Sequence, residues 1–246
     1  MGELFVIGGL TLCTDVRAAD WVVKRVRDFE HDVGSLVPPG FAGYARVFHP
    51  AYRDDGEGER EVRWSQIAAA NGRRVHPAMQ WSSITGSWRH DDTQPGLWDR
   101  EPSGGSLPIR QAARLAALLS GHTAKRGRCW FGVWDGFGAL AVPREGVTRV
   151  RMPQRPMLVL SGPLSAVTTS LERAPWDQRA NLWWPEDRAW CVATDVDLMS
   201  TYVAGSRACI AAVVASTDLE AMATSVDERI DWGSDTLNPL PPGGGG

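Results

Sequence analysis

Lysine is almost missing from this chain. Lys24 and Lys125 are the only lysines among its 26 basic residues, and 29 acidic residues outnumber these for a net charge of −3. A nucleic-acid binder normally carries a basic excess, and a membrane-spanning helix needs an apolar run of about 18 residues. Because the chain has neither, the sequence predicts no nucleic-acid partner and no membrane partner.

Cysteine pairs at metal-binding or redox spacing are also missing. No C-x-x-C motif occurs and no pair of histidines stands beside a cysteine, which disfavours a zinc site and a thioredoxin-like site. Each cysteine lies in an apolar stretch, as small buried side chains do; the four are Cys13, Cys129, Cys191 and Cys209. Residues 1–13 lack the basic start of an export signal. We therefore predict free thiols and a cytoplasmic protein.

Familiar catalytic and phosphate-binding motifs are missing as well. The chain contains no G-x-S-x-G, Walker or Rossmann pattern, and its five histidines form no H-x-x-x-H or H-E-x-x-H pair. Gly132, Gly136 and Gly138 imitate a phosphate-binding loop, but they open no helix. Asp135-Gly136 between two apolar runs is instead typical of a β-hairpin. The sequence thus predicts no cofactor and no metal ion.

Tryptophan is the residue that the chain has in excess, with 12 among 246 residues of which 43% are apolar. A chain of this length buries roughly 70–75% of its unfolded surface, so it forms a large core without metals or disulfides. Most of the indoles are expected in that core. So many also indicate either an aromatic-rich cavity or loops that Trp side chains anchor.

Hydrophobic periodicity predicts the secondary structure. Apolar residues recur at helical spacing in four segments, which predicts helices at residues 14–28, 64–70, 107–119 and 206–215. Apolar or alternating runs predict short strands, among them residues 4–8, 41–50, 148–152, 156–161 and 189–197. The strands come in consecutive runs, which favours an α+β fold: a mostly antiparallel sheet of several short strands with about four helices packed on it. We expect one domain over residues 1–238 and a flexible Pro/Gly tail at 239–246.

The longest irregular segment lies at residues 86–106. A loop of about twenty residues inside a domain is either functional or poorly ordered. Trp88 and Trp98 favour order, because disordered segments are usually depleted in aromatic residues. We predict that at least one of these indoles packs onto the domain, and we count both as candidate binding residues together with Trp134.

Asp195 and Asp197 are the best local candidates for catalysis. If residues 189–197 form a central strand, alternation puts both carboxylates on one face, roughly 6.5–7 Å apart, at the strand end. Such a pair can divide general acid and base roles or share a divalent cation. Alternatively, the two side chains cap the following turn by accepting amide hydrogen bonds.

The segment WWPEDR at residues 183–188 is the second candidate. It can form the rim of a ligand site, with Trp183 and Trp184 as stacking surfaces and Asp187 or Arg188 as the polar anchor. Alternatively, it is a tight turn that an Asp–Arg pair holds and two indoles fix to the core.

Three segments, VGSLVPPGFAGYARVFHPA, CWFGVWDGFG and NLWWPEDRAWCVATDVDLMSTYVAGS, resemble a family of hypothetical proteins from GC-rich bacteria with no assigned activity. The resemblance spans most of residues 20–238 and implies one co-linear unit. The order of a strand, an acidic end, the motif T-Y-x-x-G-S and a helix is similar to the layout of SMI1/KNR4-like immunity proteins. That likeness implies an immunity-like or accessory role by architecture alone.

Three functions are compatible with these features. The first is a binding or interaction protein whose Trp-rich loops hold a protein or small-molecule partner, since aromatic residues are enriched at interaction hot spots. The second is a small-molecule or sugar-directed hydrolase with Asp195 and Asp197 in a Trp-lined pocket under a lid formed by the long loop. The third is a purely structural protein. We expect the first. An enzyme should instead show a pocket that both carboxylates enter.

Overall fold

The computed structural model describes residues 4–28, 31–153 and 155–241. The strands in these ranges are β1 (Val6–Ile7), β2 (Leu10–Leu12), β3 (Gly43–Phe48), β4 (Ala51–Asp54), β5 (Glu59–Val62), β6 (Cys129–Trp134), β7 (Val150–Met152), β8 (Arg155–Gly162), β9 (Leu182–Pro185), β10 (Trp190–Ala193), β11 (Ser200–Gly205) and β12 (Glu220–Thr224). The α-helices are α1 (Asp20–Val23), α2 (Trp64–Ala70), α3 (Trp81–Thr85), α4 (Ile109–Leu119) and α5 (Arg207–Val214).

Most of these strands form one antiparallel sheet. Its order is β1-β2-β8-β6-β9-β10-β11-β3-β12, and β7 pairs with the first residues of β8. β4 and β5 form a separate hairpin. In the middle of the sheet, Phe131 on β6 lies opposite Leu160 on β8 and Trp183 on β9. An antiparallel sheet of short strands with helices packed on it confirms the predicted α+β class.

Strand alternation on β3 separates two hydrophobic cores. Ala45 and Val47 face the core that lies between the sheet and helices α4 and α5. Tyr44 faces the opposite core, which the segment containing Trp21 and Val22 of α1 covers. Because side chains alternate along a strand, both faces of the sheet are apolar and both are covered.

A third core lies beyond the end of β3. Phe48 packs there with Trp64 and Ile67 of α2, with Trp81 of α3 and with Trp98 of the long loop. The exposed fraction of Trp98 is 2%, which confirms the prediction that at least one indole of residues 86–106 packs onto the protein.

Three of the four predicted helices are confirmed as α2, α4 and α5. The Ser206 side chain accepts a hydrogen bond from the Cys209 N–H (3.1 Å) and caps α5 as predicted. The helix predicted at 14–28 is wrong, because only a 3-10 turn at Arg17–Ala19 and the four residues of α1 are helical. Its apolar positions are mostly valine, which has a low helix propensity, and no side chain caps α1. The sequence analysis missed α3, which is too short to show a periodicity.

Two strand predictions are wrong. β10 ends at Ala193, so Asp195 and Asp197 lie in the turn that leads to β11 rather than on one strand face. The hairpin predicted around Asp135-Gly136 does not form, because β8 and β9 already occupy both edges of β6. Asp135 instead accepts a hydrogen bond from Arg149 Nε (2.5 Å).

The two ends of the chain are described only in part. Residues 1–3, at the start of the segment analysed for an export signal, and residues 242–246 of the predicted tail lie outside the described residues. Within the tail, the Pro241 carbonyl accepts a hydrogen bond from Trp88 Nε1 (3.1 Å). The single domain over 1–238 stays a prediction. No helix in the described ranges is long and apolar enough to cross a membrane.

Candidate functional site

Trp183 and Trp184 lie inside the protein. They are neighbours on β9, so they point to opposite faces of the sheet, and each is 1% exposed. Trp183 packs edge-to-face on Trp190 at 5.3 Å between ring centroids, and Trp184 packs on Trp21 at 6.2 Å. Neither indole offers a stacking surface to a ligand, which matches the interpretation of this segment as a turn fixed to the core.

Asp187 and Arg188 form the turn between β9 and β10. The Asp187 carboxylate accepts hydrogen bonds from the Thr123 hydroxyl and the Ala124 N–H, each at 2.9 Å. Arg188 adopts a left-handed conformation (φ 56°), and its guanidinium lies 5.6 Å from the Trp21 ring. These contacts tie the segment after α4 to the sheet, and they do not bring Asp187 or Arg188 to a cavity described below.

Asp195 and Asp197 contact the same arginine. Arg155 Nε lies 3.4 Å from Asp195, and Arg155 Nη2 lies 2.9 Å from Asp197. Asp195 Oδ1 also accepts the Asp197 N–H (3.1 Å), which is the turn-capping role weighed from the sequence. The Asp195 side chain is 10% exposed and that of Asp197 is 77% exposed, so one carboxylate is buried and the other faces solvent.

The two carboxylates line different cavities. Asp195 lines a small cavity, formed with Trp134, Arg155 and Asn181, of about 30 Å³. A water molecule occupies about that volume in the liquid, and a void of this size holds only a water or two. Asp197 lines a different, larger cavity. The arrangement therefore does not present the two carboxylates to one substrate.

The cavity that Asp197 lines has a volume of about 260 Å³. Two other cavities in the described part of the chain are larger, but no indole lines either of them, so this one is the candidate site that fits the tryptophan excess. We call it the aromatic cavity, because four indoles line it. It is formed by β3, the first residues of α2 and α3, the long loop, the turn before β11 and the segment after β12; its defining residues are Arg46, Trp64, Trp81, Trp88, Leu198 and Trp232.

Trp64 and Trp81 form the rigid part of this cavity. Trp64 is 1% exposed, its Nε1 donates to the His49 carbonyl (2.7 Å), and the Glu220 carboxylate accepts its backbone N–H (2.6 Å). Trp81 packs between Trp64 and Trp98, with ring centroids 5.4 and 5.0 Å away. Trp98 therefore supports the wall from behind and does not line the cavity.

Trp88 and Trp232 form the open part of the cavity. Their rings meet edge-to-face with centroids 6.0 Å apart, and Trp232 is 61% exposed. Of the residues predicted from the sequence to bind a ligand, Trp88 alone lines this cavity, and of the two predicted catalytic residues, Asp197 does. Trp134 lies at the small cavity, where it packs edge-to-face on Phe137 with ring centroids 5.2 Å apart.

Arg46 is the buried charged residue of the aromatic cavity. It is 3% exposed and lies on the same face of β3 as Tyr44 and Phe48. Its Nε donates to the Ser200 hydroxyl (3.0 Å), and its Nη1 donates to the carbonyls of Pro77 (2.9 Å) and Met79 (2.8 Å). Burial lowers the pKa of Arg46 from its usual value, because desolvation disfavours the charged form.

His49 lies behind the cavity as a neutral, structural residue. Nδ1 contacts the Ser103 carbonyl (2.6 Å), which only accepts, so Nδ1 carries the proton and Nε2 accepts from the Thr201 hydroxyl (2.9 Å). Burial lowers the pKa of His49 to about 4. Among the described residues, no three His, Cys, Asp or Glu side chains are arranged to hold a metal ion.

The sequence analysis missed Arg46, Trp64, Trp81 and Trp232 as site residues. One local signal existed: Arg46 alternates with Tyr44 and Phe48 in a strand pattern, which places a charge on an aromatic face. The other three residues carry no local signal, since each is a single indole in a different segment.

Neither a protein-family model, nor a curated protein, nor a solved structure matches this chain. The two resemblances described from the sequence therefore stay predictions.

Proposed function

We propose that this chain is a binding protein and that its partner is a small molecule held in the aromatic cavity. The observation that supports this most is the cavity itself: about 260 Å³ lined by Trp64 and Trp81 inside and by Trp88 and Trp232 at the opening. Ligand sites are typically concave, mostly apolar, and about 300–1,000 Å³ in volume. A cavity just below that range fits a compact ligand of one or two rings.

The chemistry of the lining favours a flat apolar ring. Indoles stack on aromatic faces and edges with a preferred geometry, which adds to the energy of apolar burial. Trp64 is held by hydrogen bonds and Trp81 by the rings of Trp64 and Trp98. A ligand therefore meets preformed walls and orders few side chains on binding. This supports the binding function expected from the Trp-rich loops, and of the two kinds of partner left open by the sequence it favours a small molecule.

The hydrolase alternative has less support. The space beside Asp195 is about 30 Å³, far below what a sugar requires. Asp195 and Asp197 contact the same guanidinium but line different cavities, so the hydrolase would need a rearrangement of the turn.

Fluorine NMR with 5-fluoroindole, a neutral probe, tests the proposal. We expect the probe resonance to broaden and shift with the wild-type protein. Trp232→Ala should weaken binding at least several-fold, because it removes an indole from the opening of the cavity. Trp176→Ala is the matched control, since Trp176 is 64% exposed, close to the 61% of Trp232, and lies outside the cavity. Equal affinity of the two variants would refute the proposal, and so would a wild type that binds neither this probe nor its 2-carboxylate.

A further inference from the structure

Charge pairing inside the aromatic cavity singles out Arg46. Arg89 pairs with Asp91 (3.0 Å), His90 lies 3.3 Å from Glu101, and Asp197 pairs with Arg155 (2.9 Å). Arg46 lines the same cavity but forms no ion pair with any described residue. It is thus the one charged lining residue in the described ranges whose charge no neighbouring carboxylate balances at contact distance.

The guanidinium of Arg46 is only partly satisfied by hydrogen bonds. Nε and Nη1 donate to Ser200, Pro77 and Met79, and Nη2 has no hydrogen-bond partner in the described part of the chain. A buried charge without a counterion is costly, and its burial becomes more favourable when an opposite charge binds to it. Nη2 is therefore the atom where an anion gains most.

A purely structural role for Arg46 is the alternative. Its guanidinium lies 4.7 Å from the Phe48 ring centroid and 5.5 Å from that of Trp64, and such cation–π contacts compensate part of the lost hydration. Tyr202, Asp235 and Glu228 electrostatically oppose the lowering of the Arg46 pKa by burial, but neither carboxylate lies within ion-pair distance. These contacts hold the side chain in place and leave its positive charge without a counterion at contact distance.

We propose that the ligand of the aromatic cavity carries a carboxylate that binds Nη2 of Arg46, with its ring between the indoles. This inference rests on the proposed function and adds the chemical class of the ligand, an aromatic carboxylic acid. A monoanion matches the single unbalanced charge. A phosphate dianion would need a second cation, and the other arginine of the lining, Arg89, is already paired with an acid.

The position of Arg46 also sets the orientation of the ligand. The paired acids Glu101 and Asp197 have exposed fractions of 24% and 77% for their side chains, whereas Arg46 is almost fully buried. The carboxylate therefore points inward and the ring lies toward Trp88 and Trp232. This orientation explains how a cavity with two acids in its lining selects an anion.

Two probes with the same ring test the inference: neutral 5-fluoroindole and anionic 5-fluoroindole-2-carboxylate, each titrated by fluorine NMR at neutral pH. The carboxylate probe can accept a charge-assisted hydrogen bond from Arg46, and the neutral probe cannot. We therefore expect the wild type to bind the carboxylate probe at least about tenfold more tightly than the neutral one. Arg46→Met should abolish that preference and leave the neutral probe bound. Arg89→Met, a control at an exposed and already paired cation of the same cavity, should keep it.

A second measurement needs no variant, because Arg46→Met could destabilise the fold. Benzoate and benzamide have the same shape and differ in charge, so benzoate should displace bound 5-fluoroindole from the wild type at least about tenfold better. If 5-fluoroindole binds and benzoate and benzamide displace it equally well, the carboxylate inference is overturned and the proposed function still stands. If neither fluorinated probe binds, the proposed function fails and this inference fails with it.

Discussion

Gly105 lies against Val196: a Cβ atom on Gly105 would lie 2.7 Å from the Val196 carbonyl oxygen. The Gly105 N–H also donates to the Leu198 carbonyl (3.0 Å). The end of the long loop is thus fixed to the turn that carries Asp195 and Asp197. Because Leu198 also lines the aromatic cavity, this contact couples the loop to the candidate site.

Gly105→Ala should therefore lower the free energy of unfolding by about 2 kcal/mol or more. Its φ of +73° is costly for a residue with a Cβ, and the Val196 backbone cannot move away without disturbing the turn. Gly104→Ala is the matched control, since nothing lies within 4 Å of a Cβ there and its φ is not left-handed. Urea unfolding of both variants measures the difference, and equal stability would contradict the close approach.

The buried His49 predicts a loss of stability in mild acid. Its pKa is about 4 in the folded protein, below its ordinary 6.5, so the unfolded chain binds more protons between these values. Stability from this group is therefore lost as the pH falls below 6.5. Each pKa unit corresponds to about 1.4 kcal/mol, so we expect a loss of about 2 kcal/mol between pH 7.5 and pH 5.

His49→Gln isolates this contribution, because glutamine does not titrate. Other groups titrate in the same range, among them Glu101, whose pKa burial raises. The informative quantity is thus the difference in stability between the wild type and His49→Gln, measured by urea unfolding at each pH. That difference should shrink toward acid pH, and a constant difference would show that His49 is not buried in its neutral form.

Asp195 and Asp197 should differ sharply when each is replaced by asparagine. Asp195→Asn replaces a carboxylate whose side chain is 10% exposed and which contacts both Arg155 and the Asp197 N–H. We therefore expect the free energy of unfolding to fall by about 1–3 kcal/mol. Asp197→Asn changes a carboxylate that is 77% exposed, and surface ion pairs contribute about 0–1 kcal/mol. Thermal melting measures both. A melting temperature raised by either substitution would instead favour a functional pair held against its own repulsion.

The cysteines should behave as four free thiols. None forms a disulfide, and Cys129, Cys191 and Cys209 are buried. Burial raises the pKa of Cys129 to about 12 and that of Cys209 to about 11, so little reactive thiolate exists near neutral pH. A thiol reagent should react slowly with the native protein and count four thiols after denaturation without reductant. A count of two would indicate a disulfide.

Local patterns carried the successful predictions. Alternation of Tyr44 and Ala45 assigned the two faces of β3, and Ser206 marked the start of α5, because side-chain direction and helix capping depend on neighbours within a few residues. The hairpin prediction failed because strand pairing between residues far apart in the sequence determines the structure there. The turn at Asp135-Gly136 favours a hairpin, but both edges of β6 pair with strands from much later in the chain.

The candidate site shows the same division. The sequence by itself determined that the chain builds an antiparallel sheet and that a tryptophan anchors the long loop. It also showed that the chain has more tryptophans than a hydrophobic core of this size needs. Only the tertiary structure decided which indoles line a cavity: Trp183 and Trp184 are covered on both faces of the sheet, whereas Trp64, Trp81, Trp88 and Trp232 meet around Arg46. The physical reason is that burial depends on which segments cover a side chain, and the segments around Arg46 come from nearly the whole length of the chain.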